Sequence, residues 1–216
     1  MKYARRVKGD ALSPRFKNSM IKRVFDIVSS ATVLTGISPF IFLIAIFIKI
    51  SDRGPIFFSH TRVGKNFTPF KVHKFRTMVV DASQIGPAIT AGNDSRITKF
   101  GRFLRKTKLD EIPQLFNVLK GDMSIVGPRP EVYKYVEMFP DEYQKILQVK
   151  PGLTDYATIE FRDEENILNK YNDPEAGYTR EVIPAKIELC RKYLRDKGFF
   201  TDMKLIFFTL WKLIRM

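Results

Sequence analysis

The sequence is poor in the residues that build disulfides and zinc sites. Its 216 residues include a single cysteine, Cys190, and only two histidines, His60 and His73. One cysteine excludes an intrachain disulfide, and one cysteine with two histidines cannot supply a histidine-rich zinc site. A metal in this chain is therefore expected to be a hard cation such as Mg²⁺, held by carboxylate and phosphate oxygens.

Negative charge is also scarce. The chain has 23 acidic residues against 37 lysines and arginines, which gives a formal net charge of +14. Such an excess predicts an anionic partner, and the main kinds are nucleic acids, membrane surfaces and phosphorylated substrates. The hydrophobic content of 44% excludes a disordered chain, and the length favours one domain.

Several nucleotide-binding and hydrolytic signatures are missing. The sequence contains no G-x-x-x-x-G-K-[ST] loop and no G-x-G-x-x-G after a strand, so the P-loop and Rossmann classes lack support. It also has no serine–histidine–aspartate arrangement with a family signature, no internal repeat and no low-complexity tract. The functional signal has to come from charges, turns and apolar runs.

One long stretch, residues 27–48, has no charge at all. As a helix it would be about 33 Å long, enough to cross a bilayer. Pro39 has no amide hydrogen and its ring clashes with the carbonyl of Thr35, so we expect a kink there. Ser38 can satisfy a backbone group that the kink sets free.

Both flanks of this run are basic. Residues 1–25 carry eight lysines and arginines against one acid. Because positive residues favour the cytoplasmic side, both ends are expected on that side, and a re-entrant helical hairpin over 21–50 satisfies this. A kinked transmembrane span and a buried soluble helix are the alternatives. The far flank contains Lys49, Arg53, Arg62 and Lys65.

The C-terminal residues 201–216 form a second membrane signal. On a helical wheel, Lys204, Lys212 and Arg215 fall on one edge and apolar residues fill most of the rest. This pattern is typical of an amphipathic helix in the membrane interface, with Trp211 at headgroup depth. A terminal helix that packs on the core is an equal alternative.

Between these segments the sequence predicts small elements. Residues 54–78 are rich in β-branched and aromatic side chains around a Gly-Lys-Asn turn, which indicates a β-hairpin. A polar loop over 86–101 and a short basic helix over 96–107 follow. A helix that Gly121 stops is expected over 113–123, and a turn followed by an extended piece over 150–166. Residues 163–180 are polar and turn-rich, and 181–197 are expected to form a mostly solvated helix.

An acid pair, Asp110 and Glu111, interrupts the basic stretch KTKLDEIPQLFN. It has two explanations. Asp110 could cap a helix, with Glu111 and Pro113 in its first turn. Alternatively, a carboxylate acts on an anion that nearby cations hold. Adjacent residues diverge by about 100° on a helix, so unequal roles are expected rather than a symmetric dyad.

Arginines recur beside rigid turns in the middle of the chain. Guanidinium groups match phosphate oxygens and stabilise negative charge that develops on a phosphoryl group. Around one acid pair, they predict a site for a nucleotide diphosphate with bound Mg²⁺. The arginines are Arg76, Arg105, Arg129 and Arg162.

Five segments, in this order, carry a family resemblance: KRVFDIVSS…SPF, GPIFFSHTRVG, FKVHKFRTM, RKTKLDEIPQLFNVLKGDMSIVGPRPE and VKPGLT. Over about residues 20–160 the sequence resembles the bacterial sugar transferases, the monotopic polyprenyl-phosphate phosphoglycosyl transferases. The resemblance implies transfer of a sugar 1-phosphate from a UDP-sugar to polyprenyl (undecaprenyl) phosphate, with release of UMP and a requirement for Mg²⁺. Such a step starts the synthesis of a capsule, a lipopolysaccharide O-antigen or a glycoprotein oligosaccharide.

The resemblance also implies roles for individual residues. Asp110 would be the nucleophile that forms a covalent aspartyl-phosphosugar, and Glu111 would be a metal ligand or base, so both would lie near Mg²⁺. Ser38 and Pro39 would break the re-entrant helix. The resemblance further implies phosphate binding by Arg105, Arg129 and Arg162. The basic end of the second predicted strand adds Lys74 and Arg76 to the predicted phosphate-binding residues.

The expected architecture is α+β and mostly helical. It comprises a basic segment over 1–20, a re-entrant membrane hairpin over 21–50, a catalytic domain over 51–200 and an interfacial helix over 201–216. The resemblance implies the cytoplasmic face of the bacterial inner membrane, with membrane lipids as further partners. The sequence leaves the oligomeric state open, a homodimer included.

The sequence departs from the common family pattern after PGLT, where Asp155-Tyr156-Ala157-Thr158 replaces Gly-Trp-Ala-Gln and residues 163–198 are longer than usual. This puts the sugar specificity and the role of Arg162 in doubt. Two other classes compete with the enzyme. A non-catalytic module could bind anionic lipid headgroups, and a nucleic-acid binder would explain the charge but lacks a stacking or zinc motif.

Overall fold

A computed structural model of the chain describes residues 15–85 and 94–215. Most of the predicted basic segment 1–20 therefore lies outside the described residues. So do residues 86–93 of the predicted polar loop.

Two long helices, α1 (Arg15–Gly36) and α2 (Ser38–Asp52), open the described chain at a mutual angle of 63°. Pro39 cannot donate to the carbonyl of Thr35, and the Ser38 hydroxyl donates to that carbonyl instead, at 2.9 Å. The chain therefore bends where Ser38 and Pro39 predict a kink, and Ser38 compensates for the missing backbone bond.

Among the described residues, no single helix is long and apolar enough to cross a membrane. The two halves of the bent pair, Met20–Gly36 and Ser38–Ser51, are long and apolar enough only when they are taken together, by length and composition alone. Large apolar side chains remain exposed on both halves, for example Met20 at 70% and Ile50 at 72%. Insertion of this pair as a re-entrant hairpin stays a prediction.

A β-hairpin follows the helices, as predicted. Strand β1 (Phe57–Val63) pairs antiparallel with β2 (Pro69–Phe75) in continuous register, with Phe57 opposite Phe75. A 3₁₀ turn, Lys65–Phe67, connects the strands, and Asn66 adopts a positive φ of 55° there. Asparagine tolerates this left-handed conformation better than most residues.

Short helices account for most of the remaining described chain. The predicted helix after the acid pair ends at Gly121, whose φ of 94° favours glycine at that position. The helices are α3 (Ala82–Ile85), α4 (Lys99–Lys106), α5 (Gln114–Lys120), α6 (Tyr133–Val136), α7 (Pro140–Ile146), α8 (Tyr156–Glu160), α9 (Glu164–Leu168), α10 (Pro174–Gly177), α11 (Ile183–Asp196) and α12 (Phe199–Ile214).

A second two-stranded sheet joins distant parts of the chain. Strand β3 (Ser124–Val126) pairs in parallel with β4 (Gly152–Thr154), and α6 and α7 lie between them in sequence. Beside this pair the two backbones approach so closely that there is no room for a side chain. A Cβ on Gly152 would lie only 2.1 Å from the amide nitrogen of Gly127. This contact positions the loop that carries Arg129.

The predicted extended piece within residues 150–166 is confirmed only for β4. The chain turns into α8 directly afterwards, because Asp155 caps this helix by accepting from the amide of Thr158 at 2.7 Å. Residues 163–180, expected as turns, contain α9, α10 and a π-helical turn over Tyr178–Val182.

The last two helices both pack against the core of the protein. Helix α11 is not mostly solvated, since it buries Ile183 and Ile187 in the largest apolar cluster together with Tyr143 and Leu168. Helix α12 buries Leu205 on one side and exposes an apolar row on the other. It therefore packs on the core as well, and its contact with a membrane interface stays a prediction. The exposed row contains Phe200, Phe207, Leu210 and Ile214.

The described architecture is mostly helical with small two-stranded sheets, which is compatible with the predicted α+β class. A smaller apolar cluster, containing Ile44, Ile48, Phe75 and Leu104, joins α2 to β2 and α4. The helical hairpin is therefore packed directly against the elements that flank the acid pair.

Candidate active site

The acid pair lies on a 3₁₀ turn, Leu109–Glu111, that leads into α5. Lys108, just before it, has a left-handed φ of 58°, so the chain changes direction sharply after α4. Neither helix start has a side-chain cap: the capping positions are Lys108 for the turn and Pro113 for α5. The predicted place at a helix start is right, but the capping explanation for the acids is wrong.

Glu111 is held by two cations. Its Oε1 accepts from Lys74 Nζ at 2.7 Å, and both guanidinium ends of Arg129 donate to the carboxylate, one of them to Oε2 at 3.1 Å. Burial by itself would raise the pKa of Glu111, but Arg129 and Lys74 hold that pKa well below its usual range. Glu111 is therefore ionised at neutral pH, and both of its oxygens are occupied.

Asp110 is buried too, but it has weaker contacts with positive charge than Glu111 has. Its side chain is 8% exposed, and its Oδ2 lies 4.0 Å from Lys74 Nζ. Its Oδ1 has no hydrogen-bond partner in the described part of the chain. Burial raises the pKa of Asp110, while the charge of Lys74 opposes this rise and that of Glu111 adds to it. A buried carboxylate oxygen is thus left with its bonding capacity unused, which is rare in folded proteins.

Two strands deliver the cations to this pair. Lys74 is near the end of β2, and its ammonium reaches both acids. Arg129 follows β3, and the prolines on either side of it restrict its backbone. The cations come from separate parts of the chain and converge on neighbouring acids, as a site for an anionic substrate requires.

Arg105 lies near the pair but is already engaged. Its Nε donates to Thr77 Oγ1 at 2.9 Å, and its guanidinium donates to Glu165 Oε1 at 2.7 Å. Its charge also acts on the Asp110 carboxyl, where it opposes the rise in the pKa. A substrate phosphate at Arg105 would have to share the guanidinium with Glu165 or displace it.

The structure places the other two predicted arginines at other elements. Arg76 is buried, with its guanidinium against Gly54 just after α2, where an added Cβ would lie 1.8 Å from the arginine nitrogen. Arg162 donates to the backbone carbonyl of Lys212 in α12. Phosphate binding by either residue stays a prediction.

Sequence reasoning missed three groups in this region. Lys108 is half-buried, and burial lowers its pKa. Gln114 is 2% exposed, and its amide nitrogen has no partner among the described residues. Glu165 pairs with Arg105. Only Glu165 has a sequence signal, since it ends a run of three acids directly after Arg162.

The residues of the pair fit Mg²⁺ only in part. Within the described ranges, no group of three or more histidine, cysteine, aspartate or glutamate side chains could hold a metal ion. Both oxygens of Glu111 are bonded to cations, whereas Asp110 has a buried free oxygen. This donor set suits an ion that takes one carboxylate and draws its other ligands from substrate phosphates and water, as Mg²⁺ does.

Comparison with known proteins gives consistent matches. The family model described as "Bacterial sugar transferase" matches residues 17–216. The chain is 38% identical over 199 residues to a UDP-glucose:undecaprenyl-phosphate glucose-1-phosphate transferase of Escherichia coli, covering 90% of this chain and 40% of the relative. It is 34% identical over 197 residues to a UDP-N-acetylgalactosamine-undecaprenyl-phosphate N-acetylgalactosaminephosphotransferase of Aeromonas hydrophila, covering 89% and 43%.

A shorter relative matches nearly from end to end. The uncharacterized sugar transferase EpsL of Bacillus subtilis is 32% identical over 195 residues, covering 90% of this chain and 88% of the relative. By contrast, the chain spans less than half the length of the Escherichia coli and Aeromonas hydrophila proteins. The shared part contains the acid pair and the residues that surround it.

Proposed function

The chain belongs to the bacterial sugar transferase family, and we propose that it transfers a sugar 1-phosphate from a UDP-sugar to polyprenyl phosphate through a covalent intermediate on Asp110. The names of the relatives support a nucleotide-sugar donor and an undecaprenyl-phosphate acceptor. The product would be a polyprenyl diphosphate sugar, the lipid-linked start of a bacterial surface glycan.

The observation that carries this proposal is the free Oδ1 of Asp110. It is a buried carboxylate oxygen without a hydrogen-bond partner among the described residues, and it lies beside a carboxylate whose oxygens are both occupied. A nucleophile needs a lone pair that no hydrogen bond occupies and a charge that no hydrogen-bonded ion pair neutralises. Asp110 meets this description and Glu111 does not, so the roles are unequal.

In the first step, an Asp110 oxygen attacks the phosphorus that bears the sugar. The new bond joins the carboxylate oxygen to this phosphorus, and the bond from the phosphorus to the bridging oxygen of the diphosphate breaks. UMP leaves with the electron pair of that bond. Lys74, next to both acids, and Arg129 stabilise the negative charge on the phosphoryl oxygens during the transfer.

In the second step, a phosphate oxygen of the polyprenyl acceptor attacks the same phosphorus. The bond to Asp110 breaks, and the aspartate recovers its carboxylate. Glu111, fixed by Arg129 and Lys74, keeps these cations beside the reacting centre through both steps. Its role in this proposal is to position charge rather than to react.

Mg²⁺ would be held by the Asp110 carboxylate together with the substrate diphosphate, with Glu111 nearby. When bound, it would neutralise charge on the diphosphate. Arg105, whose charge already reaches Asp110, would help to hold the same diphosphate. Lys74, Arg76 and Arg162 complete the proposed phosphate-binding set.

We place the active site at the cytoplasmic face of the inner membrane. The bent helix pair α1–α2 would enter one leaflet and return, and the exposed apolar side of α12 would lie in the interface. Peptide tags at either end of the full chain should then be accessible from the cytoplasm only. A tag accessible from the outside would contradict the re-entrant hairpin.

The test of the chemistry is Asp110→Asn, assayed for UMP release from UDP-sugars with polyprenyl phosphate and Mg²⁺. We expect UMP release to be abolished in the variant while it still associates with membranes. Asp141→Asn, at an exposed aspartate in α7, is the matched control and should keep full activity. UMP release by Asp110→Asn at the wild-type rate would contradict the covalent mechanism.

A direct measurement completes the test. Incubation with a UDP-sugar in the absence of acceptor should leave a sugar-phosphate mass on the peptide that contains Asp110. A wild-type protein that binds membranes but neither releases UMP nor forms this adduct would favour the competing class, a non-catalytic module for anionic lipid headgroups.

A further inference from the structure

Asn117 in α5 occupies the open edge of strand β2. It is fully buried, with 0% exposure. Its side-chain nitrogen donates to the carbonyl of Lys71 at 2.7 Å, and its side-chain oxygen accepts from the amide of His73 at 3.0 Å. Strand β1 pairs with the other edge of β2, so the amide of Asn117 bonds β2 as a residue of a third strand would.

The residues that follow Asn117 in α5 are held by the first helix. Arg23 in α1 donates to the carbonyls of Val118 and Leu119 at 2.5 and 2.7 Å. Carbonyls in the last turn of a helix lack partners within that helix, and a positive charge is favourable at this end. One forked side chain thus attaches α5 to the helical hairpin.

Both attachments act on the helix that follows the proposed reaction centre. Helix α5 begins at Gln114, three residues after Glu111, and His73 is the neighbour of Lys74 in β2. Asn117 therefore fixes the helix that follows the acids relative to the strand that carries their shared cation. Arg23 fixes the same helix relative to α1.

We infer that Asn117 and Arg23 are positioning residues that hold the acid pair in register with Lys74 and with the helical hairpin. This inference rests on the proposed function. A displacement of reacting groups by only ~1 Å can lower a rate about 100-fold. Asn117 and Arg23 act on Asp110 only through α5, so they should affect the chemical step more than substrate binding.

The first test is Asn117→Asp, which keeps the size of the side chain and its acceptor for His73 but loses the donor to Lys71. We expect kcat for UMP release to fall about 100-fold while KM for the UDP-sugar changes less than about threefold. Asn169→Asp, at an exposed asparagine after α9, introduces the same charge elsewhere and should leave both constants unchanged.

The second test is Arg23→Lys, which keeps the positive charge but replaces the forked guanidinium by a single ammonium. We expect kcat to fall about tenfold, as the loss of one well-placed hydrogen bond predicts, with membrane association and tag accessibility unchanged. Arg102→Lys, at an exposed position in α4, is the control. If Arg23 served only as a positive charge on the membrane flank, Arg23→Lys would keep full activity.

Hydrogen exchange gives a readout that does not depend on activity. Asn117→Ala removes the acceptor for the His73 amide, so exchange in the β2 segment should become faster than in the wild type. Asn117→Asp retains that acceptor and should keep the protection, and it also carries the test if Asn117→Ala does not fold. Unchanged exchange in a folded Asn117→Ala would overturn the inference.

The outcomes separate this inference from the proposed function. If the wild type releases UMP, Asp110→Asn does not, and both positioning variants keep the wild-type kcat, the function stands and the inference falls. If the wild type forms no UMP with any UDP-sugar, the proposed function falls. The exchange measurement then still decides whether Asn117 holds β2.

Discussion

Replacing Arg129 by methionine would test the electrostatic core of the site. Arg129→Met keeps much of the apolar stem but removes the guanidinium that donates twice to Glu111. Glu111, with a side chain only 15% exposed, would keep Lys74 as its remaining cation. The variant should therefore be less stable than the wild type at neutral pH, because a buried carboxylate has lost its main partner.

The magnitude follows from the geometry. Removing one member of a buried ion pair costs about 3–5 kcal/mol. The Arg129 side chain is 30% exposed and Lys74 remains, so solvent screening and the second cation reduce the expected loss to about 2–3 kcal/mol. For a chain of this size, each kcal/mol lowers the unfolding temperature by roughly 2–4 °C, which gives a decrease of roughly 4–12 °C.

The effect should depend on pH in a defined direction. Arg129 and Lys74 lower the pKa of Glu111 in the folded state below its ordinary value of 4.5. The stabilisation is therefore fully present above that value and is lost as the pH falls through the folded-state pKa. Without Arg129 the folded-state pKa rises, so Glu111 in the variant is protonated at a higher pH, and the difference from the wild type should shrink below about pH 4.5.

Thermal unfolding followed by circular dichroism at about pH 7 and about pH 4 measures this difference. Arg191→Met is the control, since Arg191 pairs with Glu142 at 2.7 Å but its side chain is 37% exposed. A surface pair of this kind contributes little to stability, because solvent screens both charges. An Arg129→Met deficit that is equal at both pH values, or no larger than that of Arg191→Met, would refute the reasoning.

Two further predictions concern stability. Gly101→Ala should lower the unfolding temperature, because the added Cβ would lie 2.0 Å from the Thr77 carbonyl oxygen and overpacking costs about 1–3 kcal/mol; Gly36→Ala, with nothing within 4 Å, is the control in the same thermal scan. Asp110→Asn should raise the unfolding temperature by roughly 2–4 °C, since it removes a buried charge whose incomplete compensation costs about 1 kcal/mol, whereas Glu111→Gln should lower it by removing the carboxylate that Arg129 and Lys74 both bond. The opposite order in thermal unfolding would contradict the assigned asymmetry.

The features that the sequence predicted correctly are those with a local cause. Pro39 breaks the helix because it lacks an amide hydrogen, and Gly121 ends α5 because its φ is 94°. The β-hairpin follows from alternating side chains around one short turn. In each case a few consecutive residues contain the whole physical reason.

The missed features depend on residues far apart in the chain. Helix α11 was expected to be solvated because it is rich in charge, yet Lys186 is buried. Its ammonium pairs with Glu164 and lies 3.5 Å from Glu131, residues of other elements. No local pattern shows which distant carboxylates will compensate a lysine, so the sequence alone does not predict that this helix is buried.

The candidate site shows the same limit. An acid pair among cations predicted a polyanion site, but not which cation would meet which acid. Arg129 reaches Glu111 through β3 and its following loop, and Arg105 is paired with Glu165. These pairings depend on the parallel contact between β3 and β4, whose strands are separated by α6 and α7. Long-range strand pairing has no signature in the short segments themselves.

The opposite properties of Asp110 and Glu111 arise from the distribution of cations rather than from the acids themselves. The carboxylates are adjacent and both largely buried, and burial by itself would raise the pKa of each. Glu111 receives direct hydrogen bonds from Lys74 and Arg129, which reverse this effect. Asp110 has Lys74 4.0 Å away and the charges of Lys108 and Arg105, which weaken the effect of burial without reversing it. A carboxylate bonded to both cations would be a weak nucleophile, and one with no cation nearby would be protonated. Asp110 lies between these limits because Glu111 binds the cations and thereby keeps them close without bonding them to Asp110.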